Sequence, residues 1–282
     1  MKLVTTIAEM RALSRQTRGR GARLGLVPTM GALHQGHLSL VSAAKAGSDV
    51  VAVSIFVNPT QFGPNEDFAK YPRNLEQDCA LLHREGVDVV FAPSTDEIYP
   101  PGAITWVTVE AMSDRLCGRS RPGHFRGVTT VVSKLFHIVE PEVAFFGQKD
   151  AAQVAIIRRM VRDLNVPVRI EVCPIVREHD GLALSSRNAY LSPEERKSAL
   201  VLYRSLQRAR ELFDRGERDP ARLIAAGKAE FATKPAVRLD YFEIVDPDSL
   251  EPVSTISRPA LIAVAAFVGN TRLIDNLVLV PN

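Results

Sequence analysis

The run Asp49-Val-Val-Ala-Val-Ser-Ile-Phe-Val57 tolerates few surroundings. It offers no polar face to water, so it reads as a strand covered on both sides, the condition of a strand inside a parallel sheet. Further short strands are predicted at residues 24–27, 87–92, 143–146 and 168–172, with another at 106–109. Amphipathic stretches separate them. Ile7, Met10 and Leu13 share a helical spacing, as do Leu75, Cys79 and Leu82, and Val154, Ile157, Val161 and Leu164. Strand and helix in alternation predict an α/β fold, a Rossmann-like parallel sheet with helices on both faces.

Beyond residue 175 the pattern changes. Ser192-Pro-Glu-Glu195 combines an N-cap serine, proline at the first helical position and a glutamate able to close a capping box. Helices are expected at about 193–215 and 220–231, followed by strand-like runs at 239–245 and 260–268. Helices and then strands suggest a smaller C-terminal α+β domain over 188–282, acting as a lid, after a Rossmann-like domain over 1–187.

The chain has 282 residues, of which 46% are hydrophobic and 24% charged, with 35 Lys and Arg against 32 Asp and Glu. That near-balance gives no reason to expect a nucleic acid partner, and the arginines at 11, 15, 18, 20 and 23 read as a solvated helix face and its exit loop. Cys79, Cys117 and Cys173 are scattered, without the spacing of a metal or redox motif, which suits a reducing compartment. The longest apolar runs are too short to span a bilayer, so no membrane partner and a cytoplasmic location are expected.

Chemistry concentrates in Pro28-Thr-Met-Gly-Ala-Leu-His-Gln-Gly-His37, where a strand passes through a glycine-bearing turn into a helix. A helix N-terminus presents unpaired N–H groups and partial positive charge, so it favours phosphate. His34 and His37 can add imidazole N–H donors. Two other segments lie at similar junctions. In Gly147-Gln-Lys-Asp150, Lys149 can hold a phosphate as a point charge, while Asp150 suits either a helix cap or a ribose hydroxyl. In Leu184-Ser-Ser-Arg187, hydroxyls, backbone N–H groups and a guanidinium suit a triphosphate.

An HxGH motif with a later serine-and-basic loop resembles the nucleotidylyltransferase superfamily. The wider set narrows this. The segment 28–37, Phe56-Val-Asn-Pro-Thr-Gln-Phe62, Arg121-Pro-Gly-His-Phe-Arg-Gly127, Phe146-Gly-Gln-Lys-Asp150, Leu184-Ser-Ser-Arg-Asn188 and Gly269-Asn-Thr-Arg-Leu-Ile-Asp-Asn276 are similar, in this order, to the pantoate–β-alanine ligase family.

The resemblance implies an enzyme that condenses (R)-pantoate with β-alanine to pantothenate. ATP is a substrate, AMP and pyrophosphate are released, and a pantoyl-adenylate is the intermediate. It implies that Met30, Gly31, Ala32, Leu33, His34, Gln35, Gly36 and His37 line the ATP. His37 is the proton-donating catalytic residue, with His34 and Lys149 beside it in the catalytic set. Gly147, Gln148, Lys149, Asp150, Val176, Leu184, Ser185, Ser186 and Arg187 complete the ATP contacts. Gln61 is expected to contact pantoate and β-alanine, Gln153 pantoate, and Asn58 pantoate more weakly. Neutral amides suit a substrate rich in hydroxyls, because they donate and accept. Mg²⁺ is expected through the ATP phosphates, with no protein ligand assigned and Asp78 and Asp150 as candidates. His124 and Arg126 remain without a role, Gln148 stands where glutamate is the more familiar residue, and a homodimer through the larger domain is implied. The nearest rival is a plain adenylyltransferase, but a phosphorylated acceptor would call for more Arg or Lys near Gln61 and Gln153.

Overall fold

The computed structural model describes residues 1–64 and 66–281. The chain groups into two compact units. The first comprises Met1–Ser113, Arg121–Gly147 and Ile156–Pro174, and the second Asp114–Ser120, Gln148–Ala155 and Ile175–Asn282. The main segment of the second unit thus begins at Ile175, ahead of the 187/188 boundary expected from texture, and two short earlier segments join it. A texture change marks where secondary-structure rhythm alters, whereas these units follow spatial contact.

The first unit is built on six parallel strands: β1 (Lys2–Val4), β2 (Leu24–Thr29), β3 (Val50–Ile55), β4 (Val89–Phe91), β5 (Val143–Gly147) and β6 (Arg169–Cys173). Their spatial order is β1-β4-β3-β2-β5-β6, all neighbours parallel. Successive side chains along a strand face opposite ways. Val27, Val51, Val53, Val90, Val143 and Phe145 therefore form one cluster with α2 (Gln35–Gly47) and with Leu82 of α3 (Leu75–Arg84). The intervening Leu26, Ala52, Phe91 and Ala144 are equally buried, on the side of α1 (Ile7–Gly19) and the long helix His124–Val139, which touch each other and β2. The expected sheet with helices on both faces is present; β2 to β5 are its covered strands, while β6 is an edge strand with Arg169 and Glu171 exposed.

From β2 the strand order runs one way to β3 and β4, then returns to place β5 on the other flank of β2. The order reverses between β2 and β5, and ligands of open α/β sheets bind beyond the strand ends at such a point. The HxGH turn leaves the end of β2 and Gly147 closes β5, so the topology puts the turn and Gly147 at a switch point.

One expected strand is absent. Residues 106–109 are extended without ladder pairing. The Val107 amide instead donates to Thr130 Oγ1 at 3.0 Å, and the Val107 carbonyl accepts from Thr129 Oγ1 at 2.6 Å. Threonine hydroxyls of the 124–139 helix supply the partners that a neighbouring strand would have supplied.

The second unit has three antiparallel strands in the order β7 (Val237–Val245), β8 (Ala260–Val268) and β9 (Thr271–Leu279). Helices Pro193–Asp214 and Pro220–Ala229 pack on it through Leu202, Leu206, Phe213 and Leu223, against Phe242, Ile262 and Val264. The capping box forms as read. Glu195 donates its amide to Ser192 Oγ, and Ser192 donates its own to Glu195 Oε2 at 2.8 Å. Gly269 and Asn270 turn β8 into β9, with Gly269 at φ +56°, the glycine-first pattern of a type II′ hairpin. No described helix is long and apolar enough to cross a membrane.

Candidate active site

After β2 the backbone enters a left-handed stretch, Gly31 at φ +79° and Ala32 at φ +50°. A β-carbon on Gly31 would sit 2.8 Å from Asp78 Oδ2, and alanine at φ > 0 is strained. Asp78 of α3 holds this conformation. Its Oδ2 accepts the amide of Ala32 at 3.0 Å and its Oδ1 that of Leu33 at 2.9 Å, with the residue only 3% exposed. Burial pushes the Asp78 carboxyl up, and the two amides pull it part of the way back. Both oxygens are thus engaged by backbone, and Asp78 anchors the turn.

The turn delivers the two histidines to the head of α2. The Gly36 amide donates to His34 Nδ1 at 3.1 Å, and the His34 amide donates to His37 Nδ1 at 3.3 Å, a capping box made of imidazoles. The ring centroids are 4.1 Å apart. An amide N–H aimed at Nδ1 requires a lone pair there, so the neutral ring carries its proton on Nε2. This geometry fixes the tautomer and makes each Nε2 a hydrogen-bond donor.

The loop after β3 is organised by Asn58, 1% exposed. Its Oδ1 accepts from Thr60 Oγ1 at 2.9 Å and from Tyr99 OH at 3.0 Å, and its Nδ2 donates to the Gly127 carbonyl at 3.1 Å and to Gln61 Oε1 at 3.0 Å. Gln61 in turn directs Nε2 at Met30 Sδ, 3.0 Å away. Its backbone carbonyl lies 2.8 Å from His124 Nδ1 and accepts from Arg121 at 3.3 Å. Arg121 also reaches His124 Nε2 at 3.0 Å. Because a guanidinium only donates, that contact assigns the His124 proton to Nδ1, aimed at Gln61. Glu66 grips Arg121 at 2.7 and 2.6 Å. Burial alone would raise the Glu66 carboxyl, and the Arg121 hydrogen bonds and charge more than reverse this. His124 thereby acquires a part in holding Gln61, while Arg126 lies over the Trp106 ring, 4.7 Å from its centroid.

Gly127 makes the loop possible. A β-carbon there would fall 2.3 Å from the Thr60 carbonyl oxygen and 2.7 Å from the Gln61 amide, both backbone atoms. Gly127→Ala is expected to push the Asn58–Gln61 loop aside and destabilise the fold by about 1–3 kcal/mol, the usual penalty for overpacking. Urea melts would check the second effect, and a crystal structure of the variant with residues 58–61 unshifted would overturn the first.

A cavity of about 260 Å³ opens beyond β3 and β4, lined by Met30, Gly31, Asp78 and residues 55–57, 72–75 and 92–95. The histidines and Gln61 are not among its walls, so it flanks the switch point.

In the second unit, Gln148–Asp150 form a single 3-10 turn leading into the helix Ala151–Asp163, with Lys149 and Gln153 half-buried and Asp150 exposed. Asn276 of β9 holds the carbonyls of this turn. Val176 and Leu184 are joined by a hydrogen bond of 3.0 Å from the Leu184 amide to the Val176 carbonyl. Ser185 then caps the 3-10 turn Ser186–Tyr190 by accepting the Arg187 amide, leaving Ser186 and Arg187 half-buried. Each expected nucleotide segment is thus a short turn with its backbone tied down.

Residues 2–278 match the family model of pantoate-beta-alanine ligase. The chain belongs to the pantoate–β-alanine ligase family. Among its relatives, a pantothenate synthetase of Koribacter versatilis is 62% identical over 279 residues, covering 99% of this chain and 96% of the relative. The crystal structure of pantoate-beta-alanine ligase (pantothenate synthetase) from Thermus thermophilus superposes with a TM-score of 0.95 at 49% identity, covering all of both chains. That of the Francisella tularensis ligase, complexed with beta-gamma ATP and beta-alanine, gives 0.81 at 36% identity, covering 98% of this chain and 97% of that one. Within this ligase family fold, sequence reasoning found the HxGH turn, the loop that carries Gln61 and the Gln148–Asp150 turn, but missed the side chains that hold each of them. Asp78, Glu66, Arg121 and Asn276 act across long sequence separations, and only their charge or amide character within quoted or neighbouring motifs hinted at them.

Proposed function

We propose that this chain joins pantoate to β-alanine at the expense of ATP, in two steps. A pantoate carboxylate oxygen attacks the α-phosphorus of ATP, the bond from that phosphorus to the α,β-bridging oxygen breaks and pyrophosphate leaves, giving pantoyl-adenylate. The amine of β-alanine then attacks the acyl carbon, the acyl–phosphate C–O bond breaks and AMP leaves. The observation that carries this reading is the pair of imidazoles held at Nδ1 by backbone amides at the head of α2. A carboxylate attacking an anionic triphosphate needs fixed N–H donors and cations more than a strong base.

In this reading His37 donates from Nε2 to the phosphate under attack, His34 supports it, and residues 30–37 line the nucleotide. Lys149 meets the phosphates, and Gly147, Gln148, Asp150, Val176, Leu184, Ser185, Ser186 and Arg187 supply the remaining ATP contacts. Gln61 meets pantoate and β-alanine, and Gln153 meets pantoate. Asn58, with its amide committed to Gln61, Gly127, Thr60 and Tyr99, acts by aiming Gln61. Mg²⁺ enters with ATP, held by the phosphates and waters.

Omission experiments test the reaction. ATP–pyrophosphate exchange should require pantoate but not β-alanine, and AMP release should require both. Exchange without pantoate would overturn the scheme in favour of another acyl or phosphate acceptor.

We further propose that the working form is a homodimer. Ile104 is 86% exposed and Trp106 43%, in the extended stretch that pairs with no described strand. A second copy covering it would remove apolar surface from water. Sedimentation equilibrium should return twice the 31.0 kDa chain mass, and Ile104→Glu should shift it toward the monomer. The three cysteines are free, in keeping with a cytoplasmic site of action, which cell fractionation would check.

A further inference from the structure

The motif Gly269-Asn-Thr-Arg-Leu-Ile-Asp-Asn276 has no part in the reaction scheme above, yet it ends in two side chains that are each only 3% exposed. Asn276, mid-strand in β9 and paired with Ala263 of β8, points its carboxamide at the Gln148–Asp150 turn. Its Nδ2 donates to the Gln148 carbonyl and to the Lys149 carbonyl, both at 2.9 Å, and its Oδ1 accepts from Gln148 Nε2 at 3.0 Å. Both amide donors are engaged, and both grip the backbone on either side of the peptide that carries Lys149. Only a carboxamide of this length offers two diverging N–H donors and an acceptor together.

Asp275 does the corresponding work for the other nucleotide segment. Its carboxylate accepts from Arg177 at 2.6 and 2.8 Å, and from the Asn276 amide at 2.7 Å. Arg177 passes the restraint on, donating to the Gly181 carbonyl at 2.9 Å and stacking over Tyr203, 4.6 Å from the ring centroid. Residues 177 and 183 form the bridge that brings Val176 beside Leu184. One dipeptide of β9 therefore ties down both turns in this unit that carry expected phosphate contacts.

We propose that Asn276 is a positioning residue for adenylate formation: it fixes the Gln148–Asp150 turn so that Lys149 is held in register for the phosphates, with Asp275 and Arg177 fixing the 176–187 segment in the same way. This rests on the reading of Lys149 as a phosphate ligand. Asn276 touches neither substrate nor reacting atoms in this account, and its effect runs through Lys149.

The test compares the two half-reactions. Asn276→Asp keeps the shape but presents carboxylate oxygens to two carbonyl oxygens. It should lower kcat/KM for ATP in pyrophosphate exchange by about 10²-fold, the scale of an ångström-sized misplacement. The KM for pantoate and the rate at which β-alanine consumes supplied pantoyl-adenylate should stay within about threefold of wild type. Asn276→Ser, which keeps one donor, should lie between, and serves if the aspartate variant does not fold. Placed on Lys149→Ala, either substitution should slow exchange no further. Equal losses in both half-reactions, or losses that multiply with that of Lys149→Ala, would overturn the Asn276 proposal. Lys149→Ala with wild-type exchange would instead remove the phosphate reading of Lys149, whatever Asn276 does.

Discussion

Replacing His37 by alanine should slow adenylate formation by about 10²–10⁴-fold, the range for a positioned acid–base group. The loss should appear in single-turnover formation of pantoyl-adenylate, with β-alanine absent. The fold should survive, because the substitution removes one capping bond, from the His34 amide to His37 Nδ1, at 3.3 Å. Losing a cap costs about 0.5–2 kcal/mol, against a total stability of about 5–15 kcal/mol. A variant with a normal melt and an unchanged single-turnover rate would take His37 out of the mechanism. His37→Gln, which can still donate one N–H, should retain more activity than His37→Ala if donation matters more than proton exchange.

Lys149→Ala should be nearly as damaging, but to one step only. Pyrophosphate departs in adenylation and not in aminolysis, so a cation serving the phosphates acts in the first step. Removal of one preorganised donor to developing charge typically lowers a rate by about 10²–10³-fold. That loss is expected in pyrophosphate exchange, while supplied pantoyl-adenylate should react with β-alanine at close to the wild-type rate. Lys149 is half-buried in the middle of a 3-10 turn and outside the core, so its truncation leaves no core cavity and the melt should hardly change. Equal losses in both half-reactions would argue for a structural part instead.

The site was legible in the sequence wherever a local pattern carried it. A strand buried on both faces needs a run without a polar face, and residues 50–57, interrupted only by Ser54, have one. A helix start needs a cap, and Ser192-Pro-Glu-Glu195 shows it. His34 and His37 stood out because glycines flank them between strand and helix. Other features left no local mark. Strand β1 is three residues at the sheet edge and too short for periodicity to show. Residues 106–109 have the composition of a strand, yet hydroxyls 22 and 23 positions away take their backbone bonds. Asp78 meets Ala32 across 46 positions and Asn276 meets Gln148 across 128, separations at which single-sequence patterns are silent. The sequence therefore displayed the groups proposed to meet the substrates and concealed most of those that aim them.

The imidazole capping box also says what residue 34 is for. Asparagine, aspartate and serine are the good helix caps, and histidine is not among them. A chain selected only for a firm start to α2 would carry one of those three. Under the proposed function, histidine at this position gives up some local stability to place an N–H donor at the helix head, the trade often met where activity and robustness draw on the same atoms. His34→Asn should therefore melt at a slightly higher temperature than the wild type while making less adenylate. A stabilised variant of this protein obtained by selection on folding alone would tend to lose that histidine first.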